Sequence, residues 1–238
     1  MTGAKQIMQA QAVNNHNIAN LSTTGFRADE VSFTSAPVYG PGFATRVNAV
    51  AGDAGTDFSS GVMQNTGRDL DIAINGKGFI AVRGTDGKEA YTRAGDLRIT
   101  PNGALTTASG LAVLSDSGPI VLPPSTQIAI GSDGTVSVEP QGSAPMAVTQ
   151  VDRIKLVNPP TASLTKGADG LLRLKTPAKL KPDDSVSVTF GMLESSNVNP
   201  AQSLINMIEL QRLYEFQIKS MNSTDQNEQS AERLMLNA

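Results

Sequence analysis

The one side chain in this sequence that ordinarily serves as a general base near neutral pH is His16, the only histidine, and there is no cysteine at all. No serine or cysteine motif stands beside His16, so a nucleophile, a base and an orienting group have nowhere to assemble. His16 reads instead as a polar residue on a helix surface or contact. Gly76-Lys77-Gly78 resembles a phosphate loop, but that chemistry needs a glycine-rich loop feeding a helix, with Lys followed by Ser or Thr. Here Phe79-Ile80-Ala81-Val82 follows at once as a strand, which makes the glycines a turn with close backbone approach. Asp86-Gly87, Asp133-Gly134 and Asp169-Gly170 lack the regular oxygen offsets of a calcium loop and are turn chemistry. Asp69 with Asp71, and Asp183 with Asp184, read as solvated loop acids. The sequence offers no catalytic, cofactor-binding or metal-binding residue.

The remaining signal lies in the elements. After Ser195-Ser196-Asn197-Val198-Asn199-Pro200 neither glycine nor proline occurs again, and the chain reads as one helix from Ala201 to about Leu236. Asn199 is placed to cap it and Pro200 suits its first position. At about 100° per residue, Leu204, Met207, Ile208, Leu210, Tyr214, Ile218 and Met221 form one broad apolar face. Ile205, Leu213 and Phe216 point the other way, and Glu215 precedes Lys219 in the favourable helical order. A helix apolar on nearly every side needs neighbours on nearly every side, and at about 1.5 Å per residue this one outruns a small domain. Other protein molecules are expected to supply part of its cover. At the opposite end Thr2 to Leu21 forms a second helix, with Ile7, Gln11, Asn14, Ile18 and Leu21 in a short heptad seam. The two terminal helices are expected to pair as a coiled coil.

Between them lies β structure. The 28–68 stretch, rich in Gly, Ser, Thr and Ala, reads as a partly extended connector with Val31, Phe33, Val38, Tyr39, Phe43 and Phe58 as anchors. From 69 to 193, strand-length runs alternate with turn pairs such as Asn102-Gly103, Ser109-Gly110 and Asp133-Gly134. Many short strands without helices predict a compact antiparallel domain, partly barrel-like. The fold expected is therefore mainly β with α-helical termini: 1–27 helix and turn, 28–68 connector, 69–193 β domain, 194–238 helix. A net charge of −3 gives no reason to expect nucleic acid, and no segment has the roughly 20 apolar residues of a membrane span. No secretory signal core opens the chain.

These residues together resemble the flagellar basal-body rod protein family. His16-Asn17-Ile18-Ala19-Asn20 with Ser22-Thr23-Thr24-Gly25-Phe26-Arg27 is similar to that family's Asn-rich helix end and Thr-x-Gly-Phe turn. Ser195 to Asn199, Met207-Ile208 and Gln211-Arg212-x-Tyr214-Glu215, with Lys219 and Asp225, resemble its C-terminal signature. Gly76-Lys77-Gly78-Phe79, Tyr91-Thr92-Arg93-Ala94-Gly95 and Asp133-Gly134-Thr135-Val136 resemble its β-domain motifs. Within the family the length excludes the hook subunit. The compact connector and Phe190-Gly191-Met192-Leu193-Glu194 up to Pro200 are more similar to the proximal than to the distal rod branch, although Gln211-Arg212 and Tyr214 sit nearer the distal pattern.

The resemblance implies a structural subunit of the flagellar rod, not an enzyme, with no cofactor and no small-molecule substrate. Its partners would be copies of itself, proximal and distal rod subunits and the flagellar type III export apparatus, and its place the rod crossing the periplasm, reached without a cleaved signal peptide. Assembly is expected to run through Ile7, Asn14, Ile18, Leu21, Phe26, Leu204, Ile208, Leu213, Tyr214, Phe216 and Ile218. The rival from another class is a peptidoglycan-binding or hydrolysing β domain with a helical dimerisation tail, which would need two carboxylates facing a cleft about 5–10 Å apart.

Overall fold

The computed structural model describes residues 2–37, 47–51, 55–140, 149–176 and 178–236. The chain divides into two compact units. One, here called the helical unit, comprises Met1–Leu21, Ala28–Asp57 and Val198–Ala238; the other, the β unit, comprises Ser22–Arg27 and Phe58–Asn197. The polypeptide thus passes from one unit to the other at 21/22, 27/28, 57/58 and 197/198.

The helical unit is built on α1, Thr2–Ala19, and α2, Pro200–Leu236. The expected cap of α2 is present. The Asn199 Oδ1 accepts hydrogen bonds from the backbone N–H groups of Ala201 (3.0 Å) and Gln202 (3.2 Å), two of the donors a helix start leaves orphaned. The helices run antiparallel, because Gly3 lies beside the Gln217 side chain while the Asn14 Nδ2 donates to the Ser203 carbonyl at 2.9 Å. Beside them the connector segment forms short antiparallel ribbons, Phe33–Pro37 with Val47–Ala51 and Asp29–Glu30 with Gly55–Thr56. Val38, Tyr39 and Phe43, expected as anchors, lie outside the described residues.

The β unit is antiparallel, as its turn spacing predicts. Its largest sheet has five strands in the order Leu156–Val157, Phe79–Arg83, Glu89–Thr92, Leu172–Leu174 and Leu164–Lys166. A three-stranded sheet takes Ser125–Ile130, Thr135–Pro140 and Thr149–Arg153, and two-stranded ribbons join Ile72–Asn75 to Ser187–Phe190 and Met63–Asn65 to Met192–Glu194. The run 111–114 makes only isolated bridges, from Ala112, Val113 and Leu114.

The expected barrel-like curl is wrong. A barrel needs the first and last strands of one sheet to pair with each other at a consistent stagger, whereas here the five-stranded sheet ends on Leu156–Val157 and Leu164–Lys166, which do not pair. The turn signals that made a barrel look reasonable are its undoing, since they cut the ladder into strands of two to six residues that fall into separate small sheets. Strand alternation still works. Ile80 and Val82 face the main core with Ile72, Leu97 and Leu105, while Phe79 and Ala81 face a second cluster with Tyr91, Val157 and Leu172. The central strand is thus covered on both faces.

Candidate assembly interface

The seam between the helices is set by small and polar side chains. Ala10, Asn14 and Asn17 on α1 and Ser203 on α2 are buried, with Met207, Leu210 and Tyr214 half-buried beside them. Positions 7, 10, 14 and 17 against 203, 207, 210 and 214 keep the alternating three-and-four step of a heptad. The second amide, Asn17, has another task. Its Nδ2 donates to the Asp29 carbonyl (2.8 Å) and its Oδ1 accepts from the Asp29 N–H (2.9 Å), while the Asp29 carboxylate meets the His16 Nδ1 at 2.9 Å. His16 therefore ties α1 to the first connector strand rather than serving a nucleophile.

The far side of α2 is uncovered. Ile205 is 50% exposed, Leu213 53% and Phe216 70%. Leu204 and Ile208, placed on the inner face by angular position, are exposed as well. The reason is the choice of seam: with Ser203 buried at its centre, Leu204 and Ile208 rotate out of reach of α1. Between the helices and the connector strands the same unit holds an open groove of about 450 Å³, walled by Val13, Val31, Phe33, Leu210 and Leu213 and edged by Asp29, Glu30 and Glu209.

Of the residues expected to carry assembly, Asn14 is buried in the seam, and Ile7, Ile18, Leu21, Tyr214 and Ile218 are half-buried in the helical unit. Leu204, Ile208, Leu213 and Phe216 are exposed on α2. Phe26 stands apart from all of these. It is buried in the β unit, where the Lys166 ammonium sits 3.8 Å from its ring centre in a cation–π contact and donates to the Arg27 carbonyl.

One buried site escapes any reading by spacing. The Glu194 carboxylate, with no exposed surface, accepts from Arg27 Nη2 at 2.6 Å, Arg93 Nη1 at 2.9 Å and the Gly61 N–H at 2.9 Å. Burial pulls the Arg93 guanidinium below its ordinary pKa, and Glu194 opposes that pull. Gly25 completes the corner. Its φ is +66°, its N–H donates to the Glu194 carbonyl at 2.7 Å, and a Cβ there would stand 2.3 Å from the Arg93 carbonyl carbon. Arg27, Arg93 and Glu194 each stand in one of the family-like motifs, but nothing in those motifs says that residues 101 and 167 positions apart meet.

The acidic candidates make turns and ion pairs. Asp133 and Asp183 are held below the usual carboxylate range by hydrogen bonds from Thr135 and Ser185, and Asp169 by Arg173. One depression of the β unit, about 570 Å³, does include two carboxylates, Asp86 and Glu89. Asp86 is held low by the Lys88 N–H and by Arg173, the reverse of what a general acid needs, and Glu89 pairs with the Lys155 ammonium at 2.8 Å. Among the described residues no group of three or more His, Cys, Asp or Glu side chains is arranged to hold a metal ion.

Two antiparallel terminal helices with an apolar surface left over, and a β unit with a closed core, define a scaffold protein. Two family models match it: the flagellar hook protein FlgE/F/G D1 domain over residues 73–138 and the flagellar basal body rod FlgEFG protein C-terminal domain over 191–234. The flagellar basal-body rod protein FlgF of Salmonella typhimurium is 38% identical over 99% of this chain and 96% of its own length, and FlgF of Escherichia coli is 37% identical over the same shares. FlgG of Buchnera aphidicola from Schizaphis graminum is 34% identical over 97% of each. The chain belongs to the flagellar basal-body rod protein family. It is a structural rod subunit serving flagellum-dependent motility, not an enzyme.

Proposed function

We propose that this chain builds the proximal part of the rod, associating with copies of itself and with other rod subunits through the helical unit to form a shaft crossing the periplasm. In this reading residues 1–27 and 194–238 form the assembling part, 28–68 a connector that locks neighbours, and 69–193 a β body. Export runs unfolded through the flagellar type III apparatus. The proximal assignment is supported by alignment length. The FlgF match of Salmonella runs over 241 residues and the FlgG match over 262, for nearly the same share of this chain, so the FlgG match must open gaps that the FlgF match does not need.

The observation that carries the reading is the exposure of Ile205, Leu213 and Phe216 on a helix that has already spent its other face on α1. Burying such a side chain from full exposure is worth about 1.5–3 kcal/mol, and a neighbour would add about half of that or somewhat more for each, since Ile205, Leu213 and Phe216 keep half of their surface or more. A contact that does not close on itself yields an open helical tube, the form a shaft requires. The test is the double substitution Leu213→Asp with Phe216→Asp. It is expected to leave the β unit folded, by circular dichroism and proteolysis, and to abolish incorporation into rods; full motility in a strain carrying only this variant would overturn the reading.

A further inference from the structure

The leftover apolar surface of the helical unit is of two kinds, and they complement each other. Leu204, Ile205, Ile208 and Phe216 fall within about 120° of the α2 circumference at about 100° per residue. Arg212, Lys219 and Glu215 all lie inside that same sector, which leaves it one positive charge in excess. Arg212 and Lys219 are both exposed, and neither makes an ion pair among the described residues. This outer strip is apolar and net cationic. The groove described above is apolar and anionic: its walls are Val13, Val31, Phe33, Leu210 and Leu213, and among the described residues no Lys or Arg lines it and Glu30 and Glu209, both exposed on it, make no ion pair. Leu213, which angular position groups with Ile205 and Phe216, belongs to the groove, whereas the other two belong to the strip.

We infer that the groove of one copy receives the outer α2 strip of the next, with Arg212 and Lys219 set against Glu30 and Glu209. The inference rests on the rod reading and says which surfaces meet. Pairing strip with strip would bring four cations against only two carboxylates, Glu215 of each copy, whereas the groove sets the exposed Glu30 and Glu209 against the strip with no described cation beside them. Because the two surfaces differ, the contact is heterologous. After each contact one copy still has its strip free and the other its groove, so the assembly propagates rather than closes.

The absence of cysteine from the chain makes a clean test available. Ile208→Cys marks the strip and Phe33→Cys the groove. Both variants are produced together in cells of the source bacterium lacking the native copy, and isolated basal bodies are oxidised. A mixed 208–33 disulfide dimer is the expected product. Incorporation of both variants with only 208–208 or 33–33 dimers, or with no dimer, overturns the pairing and leaves the rod reading intact; absence of both from basal bodies overturns the rod reading and the pairing with it. Charge exchange gives a second readout. Glu209→Arg alone and Arg212→Glu alone should each lose incorporation, and the two variants expressed together should regain it, since every groove then meets a strip of opposite charge. Failure of the mixture, with each single variant still folded by circular dichroism, also overturns the pairing.

Discussion

In the β unit Ile72, Ile80, Leu97 and Leu105 have no exposed surface, whereas in the helical unit Leu204, Ile205, Ile208 and Phe216 keep half of theirs or more. The two units also bury polar groups differently. The β unit encloses a carboxylate between two guanidinium groups, and the helical unit uses neutral amides, Asn14 and Asn17, each answered by backbone groups. The first unit closes a core within one molecule, although Val62, Val121 and Phe190 stay exposed on it. The second, in the proposed rod, is completed by other molecules, and its neutral seam holds register without the desolvation cost of buried charge.

The sharpest way to break this contrast is at Glu194. Glu194→Gln leaves Arg27 and Arg93 buried without a counter-charge and is expected to destabilise the β unit by about 3–5 kcal/mol, read from urea denaturation; a change within error would remove the ionic account of that corner. A matched pair of truncations comes next. Leu105→Ala should cost about 2–5 kcal/mol of β-unit stability, whereas Leu204→Ala should stay within about 0.5 kcal/mol in the isolated chain and show its effect only in rod incorporation. Equal losses from both in the isolated chain would mean that the outer strip is already covered.

Smaller effects refine the same contrast. Asn199→Ala removes the α2 cap and is expected to cost about 1 kcal/mol, seen as reduced helical ellipticity on warming with the β unit unchanged. Acid should act first on the β unit. Hydrogen bonds from Thr135, Arg173 and Ser185 hold Asp133, Asp169 and Asp183 below 3.8, so the stability they add is present above that value and lost as pH falls through their lowered folded pKa values. Burial raises Asp96, which works in the opposite sense: its contribution is present below 3.8 and lost as pH rises through its raised value. Tyrosine fluorescence of Tyr91, buried in the β unit, would follow the acid limb; a rise in stability between pH 4 and pH 2 would contradict it.

Local chemistry was readable wherever it is written in neighbouring residues. The Asn199-Pro200 start of α2, the Gly25 turn and the covered strand Phe79 to Val82 each follow from a few adjacent side chains, and the structure forms all three. Angular position alone misplaced Leu204 and Ile208, because a helix wheel shows which residues share a face but not which face a small seam residue such as Ser203 selects. The barrel failed for a related reason, since turn spacing shows how many strands there are but not whether the last finds the first. The Glu194 cluster lay beyond reach, as nothing local distinguishes a buried Arg from a solvated one. Glu215 and Lys219 warn in the other direction: their favourable spacing gives no ion pair among the described residues.

The chain crosses from one unit to the other at four peptide links rather than one. Three of the four emerge beside residues that Glu194 staples together: Arg27 at the second, Gly61 close after the third, and Glu194 itself just before the fourth. A single carboxylate thus ties together, inside the β unit, the residues next to three of those four links.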